Sequence, residues 1–192
     1  MTFPRTRCKH CKGKLETGQR ILHPACIDDF SIAEAARLER KKAKEARADA
    51  KVERAETRRR KEAIKPRAKW LAECQAIVNK IVRLRDAGLG CCSCDRGPEW
   101  DGQWHASHLR SVGAASAVRF HLWNIHKGCS ICNNHLSGNL SEYLPRVRAR
   151  IGDDKVDWIY TQNQVTAYDV AYLKRFKAVM GKRLKRMEAR AC

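Results

Sequence analysis

The sequence predicts a mostly helical α+β fold, and three observations point there. Segments at 67–87, 141–151, 153–161 and 167–189 carry apolar residues at helical spacing. A stretch between them, 91–140, is short-patterned and rich in Cys, His and Asn. Six of the 10 cysteines form three C-x-x-C pairs, Cys8/Cys11, Cys91/Cys94 and Cys129/Cys132, which in a chain without a secretory leader read as metal ligands before disulfides. The expected organisation is a small Cys/His module at 1–30, a basic helical arm at 31–66 and a main domain with C-terminal helices at 67–192.

Taken in order, residues 31–64 are Ala, Glu, Lys and Arg with only Ile32, Leu38, Val52 and Ile64 as large apolar residues. They carry no heptad seam, so an exposed basic helix is expected rather than a coiled coil. Pro66 ends it. Trp70, Leu71, Cys74, Ile77, Val78, Ile81 and Leu84 then recur at three- and four-residue steps, an amphipathic helix that Gly88 and Gly90 stop. In the last helix Val170, Leu173, Phe176, Val179 and Leu184 are expected to pack inward, with Thr166 and Asp169 as a capping box.

Forty Lys+Arg against 21 Asp+Glu leave a formal net charge of +19, which points to a polyanion such as nucleic acid. No apolar run reaches the length of a membrane span, and the start MTFPRTRCKHCKGK has no apolar leader core. Cys91, Cys94, Cys129 and Cys132 have the spacing of two knuckles closing one structural zinc site. Cys8, Cys11, His23 and Cys26 have the spacing of a second, with His10 as a competing ligand for His23.

Between the core knuckles lies WHASHLRSVGAASAVRFHLWNIHKGC, followed by SICNNHLSGN. A His-bearing strand, a loop, an Asn and a knuckle opening a helix resemble the HNH (His-Me finger) nucleases and their zinc-stabilised ββα-metal core. The resemblance is sharper to the phage NinG/Rap recombination endonucleases. It is carried by C-x-S-C at 91–94, Gln103-Trp104, His108-x-Arg110-Ser111, Asn124-Ile125-His126-Lys127, Cys132-Asn133 and Ser137-Gly138-Asn139-Leu140. It implies a structure-selective DNA endonuclease acting on branched intermediates such as Holliday junctions and D-loops, in the cytoplasm of a bacterial host. His108 matches the general base, and Asn124 the residue that pins the catalytic loop. Asn133 matches a ligand of a catalytic Mg²⁺ or Mn²⁺ shared with that imidazole, with His135 as an additional ligand. Arg110, Arg119 and Lys127 are expected to hold phosphates. Cleavage on both sides of a junction would call for a homodimer.

The chain departs from the NinG/Rap pattern where His105 and Ser107 stand for an acidic residue and a glycine. His105 favours a softer cation than Mg²⁺, unless Asp101 supplies an oxygen. The rival reading is a non-catalytic zinc protein that binds nucleic acid with the same cysteines and basic helices.

Overall fold

The computed structural model describes residues 5–191, in two compact units, Met1–Ile64 and Lys65–Cys192. In the first unit the chain turns back on itself over residues 8–13, with the Cys8 N–H donating to the Gly13 carbonyl at 2.8 Å and Lys12 in the left-handed region at φ 62°. One 3₁₀ turn, Pro24–Cys26, leads into helix α1, Ile27–Ala63. At 37 residues α1 is about 55 Å long. It has no buried residue, in keeping with its lack of an apolar face.

The second unit opens with α2, Arg67–Arg85, starting directly after Pro66. Strand β1, Trp104–His108, pairs antiparallel with β2, Ile125–Cys129, in the register Trp104 to Cys129 and His108 to Ile125. Helix α3, Ser130–His135, follows β2 without a linker, because the Cys129 sulfur accepts the Cys132 N–H and caps it. Helices α4 (Leu140–Ile151), α5 (Asp153–Thr161) and α6 (Val170–Ala191) complete it. Among the described residues no helix is long and apolar enough to cross a membrane.

Besides the buried cysteine cluster, two apolar cores fill this unit. In one, α2 (Trp70, Cys74, Val78, Ile81, Val82) packs on α6 (Leu173, Met180, Leu184) with Ile125 of β2 and Phe120. In the other, Tyr143 and Val147 of α4 pack on Val156 and Ile159 of α5 against Leu109, Val118 and Cys92.

The sequence expectations for α6 need two corrections. Its buried stripe is Leu173, Met180 and Leu184, edged by Phe176, while Val179 is exposed; 173, 176, 180 and 184 follow three- and four-residue steps that 179 breaks. Its cap is Asp169 alone, whose carboxylate accepts the Tyr172 N–H at 2.6 Å, whereas the Thr166 N–H donates to the Ser116 hydroxyl.

Candidate metal centres and catalytic site

Cys91, Cys94, Cys129 and Cys132 come together with their sulfurs all within 4.8 Å of one another. A tetrahedral zinc with bonds of about 2.3 Å would set its sulfurs about 3.8 Å apart; those of Cys94 and Cys129 are 3.9 Å apart. The Cys91 sulfur accepts N–H groups from Ser93 and Cys129. Its thiol is drawn down to about 4, first by the neighbouring Cys92 side chain, while burial pushes the Cys129 and Cys132 thiols up. Four crowded sulfurs cannot all ionise unaided. A divalent cation removes that penalty, so this donor set fits zinc.

Cys8, Cys11, His23 and Cys26 form the second cluster, again within 4.8 Å. The His23 Nδ1 faces the Cys11 sulfur at 3.2 Å, and its Nε2–H donates to the Lys14 carbonyl at 3.0 Å. That carbonyl fixes the tautomer that leaves Nδ1 free to ligate. His10, the competing ligand, is exposed and outside the cluster. Both clusters could therefore hold a structural zinc.

Alternation along β1 sorts the histidines. His105 and Ser107 turn toward α3: the Asn133 amide lies 3.1 Å from the His105 Nδ1, and the Ser107 hydroxyl donates to the Asn133 Oδ1 at 2.9 Å. His105 and Asn133 line a cleft of about 450 Å³ with Asn79 and Arg83 of α2 and with Gln103 and Trp104. At Gly128, opposite His105, an added Cβ would stand 2.6 Å from the Ser107 Oγ, so a larger residue there displaces that hydroxyl.

His108 is on the other side of the strand and lines a second cleft of about 310 Å³, with Arg110, Ser111, Ser137 and Tyr160. Its Nε2 meets the Arg119 carbonyl at 3.0 Å. With the proton on Nε2, Nδ1 keeps its lone pair, and burial lowers the ring's pKa, so the imidazole stays neutral near pH 7. The sequence expectation groups His108 with Asn133; here Asn133 lines the cleft that holds His105, and His108 lines the other. Both clefts border β1, but strand pleating turns 105 and 107 one way and 108 the other.

Asn124 is fully buried. Its Oδ1 accepts the Arg110 N–H at 2.8 Å, and its Nδ2 donates to the carbonyls of Arg110 and Val118 at 3.0 and 3.2 Å. It ties the loop after β1 to the start of β2, and the tied segment ends beside the Arg119 carbonyl that holds His108.

The expected phosphate ligands are differently used. The Arg110 guanidinium donates to the carbonyls of Ile159, Tyr160 and Gln162 and to the Asn163 side chain, closing the end of α5. Lys127 is buried, its Nζ donating to the Ala87 carbonyl at 2.9 Å and lying 4.2 Å from the Trp104 ring centre. Both therefore serve the fold. Arg119 donates from Nε to Gln75 at 3.3 Å. His135 and Asp101 are exposed and line neither cleft. Sequence reasoning missed Asn79 and Arg83, whose one signal is their i, i+4 placement on the polar side of α2.

A sequence profile described as "Bacteriophage Lambda NinG protein" matches residues 1–190. The chain belongs to the NinG family. The "Protein ninG" of Escherichia phage lambda is 40% identical over 126 residues, covering 66% of this chain and 61% of the relative. That of Salmonella phage P22 has the same identity and coverage, and that of Escherichia phage 933W is 40% identical over 126 residues, 62% of its length. The matched stretch thus spans about three-fifths of these NinG relatives. No solved structure matches.

Proposed function

We propose that the chain is a metal-dependent DNA endonuclease of the HNH type that cleaves phosphodiester bonds in branched recombination intermediates. The observation that carries this reading is the β1–β2–α3 unit, whose β2 and α3 contribute two of the four clustered cysteines. It presents a neutral imidazole fixed through one nitrogen (His108), an Asn that pins its loop (Asn124) and a polar cleft walled by His105 and Asn133. Branch selectivity rests on the family resemblance.

In this reading His108 Nδ1 takes a proton from water as the oxygen attacks phosphorus, and the departing 3′-oxygen is protonated from solvent. The Arg119 carbonyl holds the imidazole in the tautomer this needs. His105 and Asn133 suit a borderline cation, since neither brings the carboxylate that Mg²⁺ prefers. The Asn133 amide can present its oxygen by a half-turn, because Ser107 either donates or accepts. A divalent cation held by these two residues would neutralise charge building on the phosphate. Their cleft and that of His108 border the same strand, so the scissile phosphate would lie across the end of β1.

One observation favours the rival, a nucleic-acid-binding zinc protein without activity: His108 and Asn133 line separate clefts. Incubating the protein with four-way junctions and linear duplex in Mn²⁺ or Mg²⁺ separates the two. The nuclease nicks junctions, more readily in Mn²⁺, and His108→Ala abolishes nicking while binding persists. Wild-type protein that binds junctions and nicks in neither metal is the binding protein.

A further inference from the structure

Helix α1 carries its charges on two sides. Arg40, Lys44, Arg47, Lys51, Arg54, Arg58 and Lys61 follow one another at alternating four- and three-residue steps. At 100° per residue they fall within one face about 100° wide. Glu45, Asp49, Glu53 and Glu56 fall on the opposite face. All seven cations of the stripe are exposed, and Arg47, Lys51, Arg54 and Arg58 line one shallow groove along the helix.

Pairing divides the cations the same way. The ion pairs within α1 use Arg37, Lys41, Lys42 and Arg60, with Glu34, Glu45, Glu39 and Glu56. Among the described residues, no member of the stripe forms a salt bridge. From Arg40 onward Arg59 is the one unpaired cation of α1 outside the stripe, so the unpaired positive charge is concentrated along that line.

We propose that this stripe is a docking face for the phosphate backbone of duplex DNA. From Arg40 to Lys61 it runs about 32 Å, close to one turn of the duplex. The α-helix itself has the width that the major groove admits. Three other occupants fit poorly. A single strand calls for aromatic stacking platforms, and the only aromatic residue of α1 is Phe30, outside the stripe. A membrane surface calls for an apolar face, and α1 buries nothing and presents none. A partner helix calls for an apolar seam, whereas these heptad positions are all Lys or Arg. The acidic back of α1 repels a second phosphate chain, so the helix engages DNA on one side only.

The test uses the full-length, zinc-loaded protein and a 30-base-pair linear duplex, without divalent metal beyond the bound zinc. Affinity is measured against salt concentration for wild type, for Arg47/Lys51/Arg54/Arg58→Gln, and for Glu45/Asp49/Glu53/Glu56→Gln. Gln keeps the helix propensity, and far-UV circular dichroism checks that the helix persists. The stripe variant binds more than tenfold more weakly at 0.1 M salt, and its log–log salt slope flattens by about 3 to 4, near 0.9 per lost phosphate contact. The acidic-face variant keeps the wild-type slope. An unchanged slope in the stripe variant overturns the proposal, as does an equal change from both faces. So does an unaffected duplex slope with tight binding to poly-glutamate, which would assign the stripe to an acidic protein. Cleavage plays no part in the readout, so the outcome is independent of the nuclease reading.

Discussion

Replacing Asn124 with Ala removes three hydrogen bonds at once, without touching the zinc ligands. The side chain is fully buried, and it satisfies the Arg110 N–H and the carbonyls of Arg110 and Val118 at 2.8, 3.0 and 3.2 Å. At a net worth of about 1 kcal/mol each, the bonds contribute about 3 kcal/mol. Where these backbone groups are left dry and unpaired, the loss climbs toward about 5 kcal/mol. Urea unfolding of the zinc-loaded protein under reducing conditions reads this as a lower midpoint at unchanged slope. Val118 precedes the carbonyl acceptor of His108, so cleavage should fall by more than the unfolded fraction explains. A destabilisation below about 1 kcal/mol would refute the reasoning, because it would mean the loop after β1 finds equivalent partners without Asn124.

Other outcomes follow from the same geometry. The full chain should carry two zinc ions; Cys91→Ser should leave one and destroy cooperative melting of the Lys65–Cys192 unit, and Cys11→Ser should leave one and spare that melting, as metal analysis with calorimetry would show. Gly128→Ala should cost about 1–3 kcal/mol in urea unfolding by forcing Ser107 off Asn133. Burial lowers the His126 pKa to about 4 from an ordinary 6.5. The unfolded chain therefore takes up a proton that the fold refuses, and stability falls as pH drops from about 6.5 to about 4, by roughly 3 kcal/mol. In an NMR titration the His126 imidazole should remain neutral at pH 5, and protonation near pH 6.5 would contradict its burial.

Much of this architecture is legible in the sequence because its signals are local. The apolar steps predicting helices at 141–151 and 153–161 match α4 and α5 almost to the residue. The Cys spacings predict both clusters, and His23 wins over His10 because it lies three residues before Cys26 at the start of α1, whereas His10 sits inside a tight turn. What stays hidden depends on neighbours distant in sequence. Arg110 is an exposed cation by type, yet its acceptors are carbonyls about 50 residues away at the end of α5. Lys127 is drawn inside by the Ala87 carbonyl, and its own N–H by the Asp86 carboxylate. The separation of His108 from Asn133 is set by the phase of β1 against α3, which motif spacing does not encode.

The central claim is that a buried, neutral imidazole at 108 activates water for phosphodiester cleavage. Its most direct test is the single-turnover rate of junction nicking in Mn²⁺ as a function of pH, with His108→Ala alongside. Burial holds the His108 pKa below its ordinary 6.5, so the account predicts a flat rate from pH 8 down through pH 6.5. The break comes on the acid side of pH 6.5; beyond it the rate falls tenfold per pH unit, and the Ala variant is slow with no such break. A rate that climbs steadily to pH 9, unchanged in the variant, would contradict it.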